Sequence, residues 1–306
     1  MEFLKLLESI RTPFGDALIS LITHLGAETL FMLLSLVFFW CIDKYRGYYL
    51  LVTGFCGTVF VQILKMAFRI PRPWVLDSQF TIVESAREGA TGYSFPSGHT
   101  QCATTLYGGI ARSSKYRAVQ IGGIVLVILI AFSRMYLGVH TPEDVLVSLA
   151  IGISMVLIFY PLVERSRKDA RIMYALIAFC LLISLGNLLF VELYRFPADV
   201  DAVNLTDARE VAWKMLAAVA GICVVFPLDQ KYIKFETKAV WWAQILKLVG
   251  GFALIVLIKS LLKSPLNALW GAEVGGFVRY FLMVLAAGAA WPLTFRWFGT
   301  LGQKTE

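Results

Sequence analysis

Long apolar runs alternate with short polar breaks along most of this chain. The runs cover about 25–42, 48–68, 96–110, 118–137, 142–162, 172–194, 209–227, 240–262 and 275–298. Each approaches the roughly 20 residues a helix needs to cross the hydrocarbon of a bilayer. The pattern predicts an all-α integral membrane protein of about nine spans. Residues 1–24 are different, because Leu, Ile and Phe there are interleaved with Glu2, Lys5, Glu8, Arg11 and Asp16 around Pro13. That amphipathic mixture predicts an N-terminal interfacial helix, not a span. Residues 69–94, with Arg72, Asp77, Glu84, Arg87 and Glu88, form the first long polar loop, and no fixed-period repeat is visible.

Composition agrees with the pattern. The chain is 58% hydrophobic and only 16% charged, against roughly 45–50% and 25% in soluble domains. The net charge of +7 is of the kind that basic cytoplasmic loops give membrane proteins, and it does not point to nucleic acid. The five cysteines, Cys41, Cys56, Cys102, Cys180 and Cys223, lie in or beside apolar runs without paired spacing. They read as buried hydrophobes, neither disulfides nor metal ligands. No cleavable signal peptide is expected from MEFLKLLESIR. Following the spans alternately places Lys65, His99, Arg134 and His140 at one face of the bilayer. Lys44, Arg46, Arg112, Lys115, Arg117, Arg165, Arg167, Lys168, Arg171 and Lys304 are among the denser basic set at the other. By the positive-inside rule the denser side and the C-terminus are cytoplasmic, and the face carrying the histidines is extracytoplasmic or lumenal, in a bacterial inner membrane or an endomembrane.

Candidate chemistry sits on that face. Lys65 lies on an otherwise apolar helix, where an ionisable group usually faces a cavity or a partner. Seven residues on, the prolines of Pro71-Arg72-Pro73 hold Arg72 on a stiff segment. Pro96-Ser97-Gly98-His99 reads as a helix start, with free N–H groups and a positive dipole end suited to an anion. In His140-Thr141-Pro142-Glu143-Asp144, Thr141 suits an N-cap and Pro142 the first helical position, so Asp144 falls at N3 and points back across the cap. There it can accept from one imidazole nitrogen of His140 and leave the other nucleophilic. Taken singly, each has a plainer reading: snorkelling for Lys65, a solvated charge for Arg72, an ordinary cap for Pro96–Gly98 and for Asp144, a structural histidine for His140. Taken together they are harder to dismiss, since the chain has three histidines and two of them fall beside three cations. His24, the third, reads as surface.

The spacings KxxxxxxRP from Lys65 to Pro73, PSGH from Pro96 to His99 and SRxxxxxHxxxD from Ser133 to Asp144 resemble the three-part signature of the type 2 phosphatidic acid phosphatase superfamily. That group includes lipid phosphate phosphatases, polyprenyl diphosphate phosphatases, glucose-6-phosphatase and vanadium haloperoxidases. No motif position departs from the signature. The resemblance implies a six-helix phosphatase core, assigned here to 25–165, with residues 166–306 as a C-terminal transmembrane extension. It also implies that His140 attacks phosphorus, that Asp144 orients it, and that His99 protonates the leaving oxygen and later activates water. Lys65, Arg72, Ser97, Gly98 and Arg134 would bind the phosphoryl oxygens. Phosphoryl transfer needs chiefly positioning and charge stabilisation, and the motif positions offer no carboxylate cluster for Mg²⁺. No metal or other cofactor is expected.

The expected partners are therefore the bilayer and a phosphorylated lipid (phosphatidic acid-type, sphingoid base phosphate or polyprenyl diphosphate) or a small phosphate ester. A sugar phosphate is the enzymatic alternative. A transporter or scaffold would explain the hydropathy but not the convergence of histidines and cations. The loop from Arg195 to Glu210 reads either as a lid or headgroup selector, or as a solvated connector, and carries an Asn204-Leu205-Thr206 glycosylation pattern. Most tryptophans fall near span ends, as interface anchors do.

Overall fold

The computed structural model describes residues 1–301. Lys304 and the expected cytoplasmic chain end lie outside the described residues. Among those described, the secondary structure is helical, without strands.

The amphipathic N-terminus forms two helices where one is expected, α1 (Glu2–Ser9) and α2 (Pro13–His24). Pro13 has no N–H to continue α1, and Thr12 instead caps α2 by accepting from Gly15 N. α3 (Glu28–Val37) runs on through a π-helical turn to Ile42. Asp43 then caps α4 (Lys44–Phe68) by accepting from Tyr45 N and Arg46 N. Arg69 ends α4 in the left-handed region, at φ 51°, and the chain passes through α5 (Pro73–Leu76) into the long polar loop. α6 (Gly98–Ala103), a π-helical turn and α7 (Gly109–Ser113) follow as one helical stretch. α8 (Arg117–Tyr136) and α9 (Pro142–Ser166) complete the motif-bearing part. Beyond it come α10 (Ala170–Leu193), α11 (Ala202–Leu228), α12 (Trp241–Leu261), α13 (Lys263–Leu285) and α14 (Phe295–Thr300).

Among the described residues, seven helices are long and apolar enough to cross a membrane, and α2 with 28–42 makes an eighth if their 46° bend is one broken span. The remaining expected span, residues 98–113, is shorter, reaching about 24 Å at 1.5 Å per residue. α4 lies at the centre, against α9, α10 and α11. α11 and α13 approach closely because Gly221 faces Val284, where a Cβ would stand 2.6 Å from Val284 Cγ1. The main apolar core joins Phe39, Trp40, Tyr48, Phe226 and Phe295, and so holds motif-bearing and C-terminal helices together. A second cluster, Met66, Tyr93, Leu188, Val191, Ala208 and Ala212, ties them at the end that carries the motifs.

Candidate active site

The end of α8 and the start of α9 fix the imidazole of His140. Gly138 takes φ 80°, a conformation that favours glycine. This turns the chain so that Val139 N (3.1 Å) and His140 N (3.2 Å) both donate to Arg134 O. Thr141 and Asp144 form a capping box: Asp144 N donates to Thr141 Oγ1 (3.3 Å) and Thr141 N to Asp144 Oδ2 (2.8 Å). The same Oδ2 lies 3.3 Å from His140 Nδ1. Capping and imidazole contact thus occur on one carboxylate, so the two readings of Asp144 do not compete.

On the other side of the ring, Arg72 Nη1 is 2.9 Å from His140 Nε2. A guanidinium only donates, so Nε2 must present its lone pair and the ring proton belongs on Nδ1, toward Asp144. Arg72 is held there by carbonyls, with Nη1 donating to Val139 O (2.9 Å), Nε to Gly92 O (3.1 Å) and Nη2 to Thr91 O (2.6 Å). His140 lies between the spanning helices. Burial first, then the fields of Arg72, Arg134 and Lys65, holds its imidazole well below the ordinary value, hence neutral at neutral pH.

The other cations also meet neutral acceptors. Lys65 Nζ donates to the carbonyl of Tyr93. Arg134 is 1% exposed and donates through Nη1 to Thr23 Oγ1 (2.6 Å), while its Nε and Nη2 have no partner among the described residues. In the tetrad, Ser97 caps α6: its Oγ accepts from Thr100 N (3.4 Å) and Thr100 Oγ1 (3.0 Å), which leaves its own O–H proton to donate. Ser97 N donates to Asp144 O (3.2 Å) and so couples the tetrad to α9. A Cβ at Gly98 would meet nothing within 4 Å, so a ligand can approach that backbone. The His99 imidazole is partly buried and faces Gly89. His24 is exposed. Among the described residues, no three His, Cys, Asp or Glu side chains group in a way that could hold a metal ion.

Three features escape a reading of the sequence. Ser94 Oγ donates to Asp144 Oδ2, although nothing in its polar loop sets it apart. Thr23, on the amphipathic segment, holds Arg134. Residues 202–210, expected as loop, are the first turns of α11, capped by Asp201, which accepts from Asn204 N at 2.8 Å. The serine or threonine N-cap preference extends to aspartate, and Asp201 three residues before Asn204 was the available signal.

A cleft of about 590 Å³ opens beside Arg72. Its walls come from the end of α4, the loop through Thr91–Tyr93 and the segment 199–207. Phe68, Val75 and Val203 line it while remaining 58%, 64% and 70% exposed.

A family model described as the PAP2 superfamily matches residues 46–168, a range that contains all eight candidate residues. A second, the PAP2 superfamily phosphatase transmembrane extension, matches residues 213–304. Sphingosine-1-phosphate phosphatase 1 of Mus musculus is 23% identical over 265 residues, covering 79% of this chain and 58% of that protein. Undecaprenyl-diphosphatase BcrC of Bacillus subtilis is 31% identical over 109 residues, 36% of this chain and 53% of that protein. Phosphatidylglycerophosphatase B of the same organism is 29% identical over 157 residues, 47% and 73%. A crystal structure of Aquifex aeolicus LpxE is similar at 28% identity and a TM-score of 0.45, covering 52% of this chain and 92% of that one. The chain spans a little over half the length of the first two relatives.

Proposed function

The chain belongs to the PAP2 superfamily, and from that premise we propose that it is a membrane-embedded phosphatase that removes phosphate from a lipid through a phosphohistidine. The observation that carries this reading is His140 held between Asp144 on Nδ1 and Arg72 on Nε2. When a phosphoryl group takes the Arg72 donor, the Nε2 lone pair is released and attacks phosphorus. The P–O bond to the lipid breaks, and His99 gives the leaving oxygen its proton. Asp144 stabilises the imidazolium side of the new P–N bond. His99, now unprotonated, takes a proton from water, whose oxygen attacks phosphorus and returns the electron pair to Nε2. Lys65, Arg72, Arg134, the Gly98 N–H and the Ser97 hydroxyl stabilise charge on the equatorial oxygens.

The lipid assignment rests on the cleft, which joins these polar groups to exposed Phe68, Val75 and Val203, so that a headgroup and an apolar chain fit side by side. The positive-inside distribution supports an extracytoplasmic or lumenal position for this face. Residues 25–165 act as the catalytic core in this reading, and the described part of the 166–306 extension braces it and contributes one wall of the cleft. The test is phosphate release from phosphatidic acid, sphingosine phosphate, phosphatidylglycerol phosphate, a polyprenyl diphosphate and glucose 6-phosphate, with EDTA present. Release from a lipid, lost in His140→Ala, is expected. Turnover of glucose 6-phosphate alone would make it a sugar phosphatase, and release from none would make it a non-enzyme.

A further inference from the structure

The same cleft has two chemically opposed walls. Arg69 and Arg72 lie on the side of α4 and the first polar loop, and Asp199, Asp201, Asn204 and Asp207 on the side of the C-terminal extension. Asn204 and Asp207 are three residues apart and therefore share one face of α11. These two residues, with Thr91, Gly92 and Tyr93, also line a small cavity of about 30 Å³ against Lys65, so a group seated beside a Lys65-bound phosphoryl oxygen meets them directly. The wall is fixed in place: Asp201 N donates to Tyr93 Oη (3.3 Å), and the carbonyl of Tyr93 takes the Lys65 ammonium. Asp201 is committed to its cap, and Lys214 to Glu210 at 2.8 Å. Asp207 makes no ion pair among the described residues.

We propose that Asn204 and Asp207 are specificity-determining residues that read the part of the headgroup next to the phosphate. Their oxygens accept from a hydroxyl or ammonium near the phosphoryl group, and the negative charge of Asp207, with Asp199 and Asp201 beyond it, works against a second phosphate. The substrate class is then a lipid phosphomonoester with hydrogen-bond donors close to the phosphate, in preference to a lipid diphosphate. This rests on the phosphatase reading and refines it. It also gives the extension a task in selection, because the donors and acceptors that tell substrates apart come from α11, while the groups assigned to chemistry come from the core.

The experiment compares kcat/KM of the full-length protein in lipid nanodiscs on sphingosine phosphate, which carries both an ammonium and a hydroxyl, on ceramide phosphate, which keeps the hydroxyl and replaces the ammonium by an amide, and on a polyprenyl diphosphate. The first two arms separate ammonium from hydroxyl as the source of the donor. Wild type is expected to prefer the monoesters. Asp207→Asn, nearly isosteric, and Asn204→Leu are expected to shrink the monoester-to-diphosphate ratio by about tenfold, the scale of one net hydrogen bond at a part-exposed site. A wild-type preference for the diphosphate overturns the proposal, as does a ratio unchanged in both variants or a uniform loss on all three substrates. Hydrolysis of phosphatidic acid with none of these three turned over overturns the proposal and leaves the phosphatase reading standing, whereas hydrolysis of none of these nor of the wider panel overturns the phosphatase reading itself.

Discussion

Two sets of cations, Lys44 with Arg167 at one end of the helical bundle and Lys65, Arg72 and Arg134 at the other, are held in opposite ways. At the end away from the motifs, Lys44 and Arg167 are matched by carboxylates, while buried Lys247 donates to Thr237 O (3.0 Å). Lys44 Nζ lies 2.9 Å from Asp229 Oδ2, and Arg167 reaches Asp43 Oδ2 at 2.8 Å and Glu164 Oε2 at 2.9 Å. At the motif end, Lys65 and Arg72 are held by carbonyls and Arg134 by a hydroxyl. The carboxylate beside them, Asp144, spends its Oδ2 on His140, Ser94 and Thr141. Neutral acceptors fix where a cation sits without cancelling its charge. The Lys44 and Arg167 pairs serve cohesion, and Lys65, Arg72 and Arg134 keep a positive potential that a phosphoryl group can use.

The largest effect is expected at His140. His140→Ala should lower kcat by about 10⁴-fold or more while the protein still folds, because a nucleophile has no substitute. A steady-state phosphate-release assay with a thermal melt checks both halves. Next come paired substitutions at the two ends. Arg134→Met should cost about 10²–10³ in kcat, as loss of one charge-stabilising donor does. Its Tm should hold or rise, since the change removes a buried charge with two unpartnered nitrogens. Lys44→Met should do the reverse, leaving kcat near wild type and costing about 2 kcal/mol of stability by stranding buried Asp229, somewhat less than for a fully buried pair because Lys44 is 21% exposed. Equal effects on activity from the two variants would erase the distinction between the ends.

Much of the site is legible in the sequence because its parts are local. Spacing alone brings Asp144 to His140 across a cap, and the prolines around Arg72 announce a fixed guanidinium. What escapes is contributed by distant segments: Ser94 from a featureless loop and Thr23 from the interfacial-looking N-terminus, while Asn204 and Asp207 fall in a stretch that offers a headgroup selector but reads as a loop instead of the helix it forms. Hydropathy likewise locates the spans, yet not the division of the N-terminus at Pro13, nor the 46° bend between α2 and α3. Those depend on a single proline and on packing against α8, which leave little trace in periodicity.

Smaller effects sharpen the same picture. Ser94→Ala removes a hydrogen bond to Asp144 and should lower kcat about tenfold, corresponding to roughly 1–1.5 kcal/mol of positioning. A pH profile should place the acid limb from His140 below the ordinary imidazole value of 6.5, because burial and the surrounding cations oppose its protonation. The sign for stability follows. Below pH 6.5 the unfolded chain takes up a proton that the folded chain resists, so Tm should fall as pH drops from 6.5 toward the folded pKa. An acid limb at or above 6.5 would separate it from His140.

A covalent route through His140 leaves its mark on the stereochemical course at phosphorus. With a chiral, oxygen-isotope-labelled thiophosphate ester of a lipid that the enzyme hydrolyses, two successive in-line displacements retain configuration, which is the predicted result. Inversion would mean that water attacks the substrate directly, and it would contradict the assignment of His140 as nucleophile.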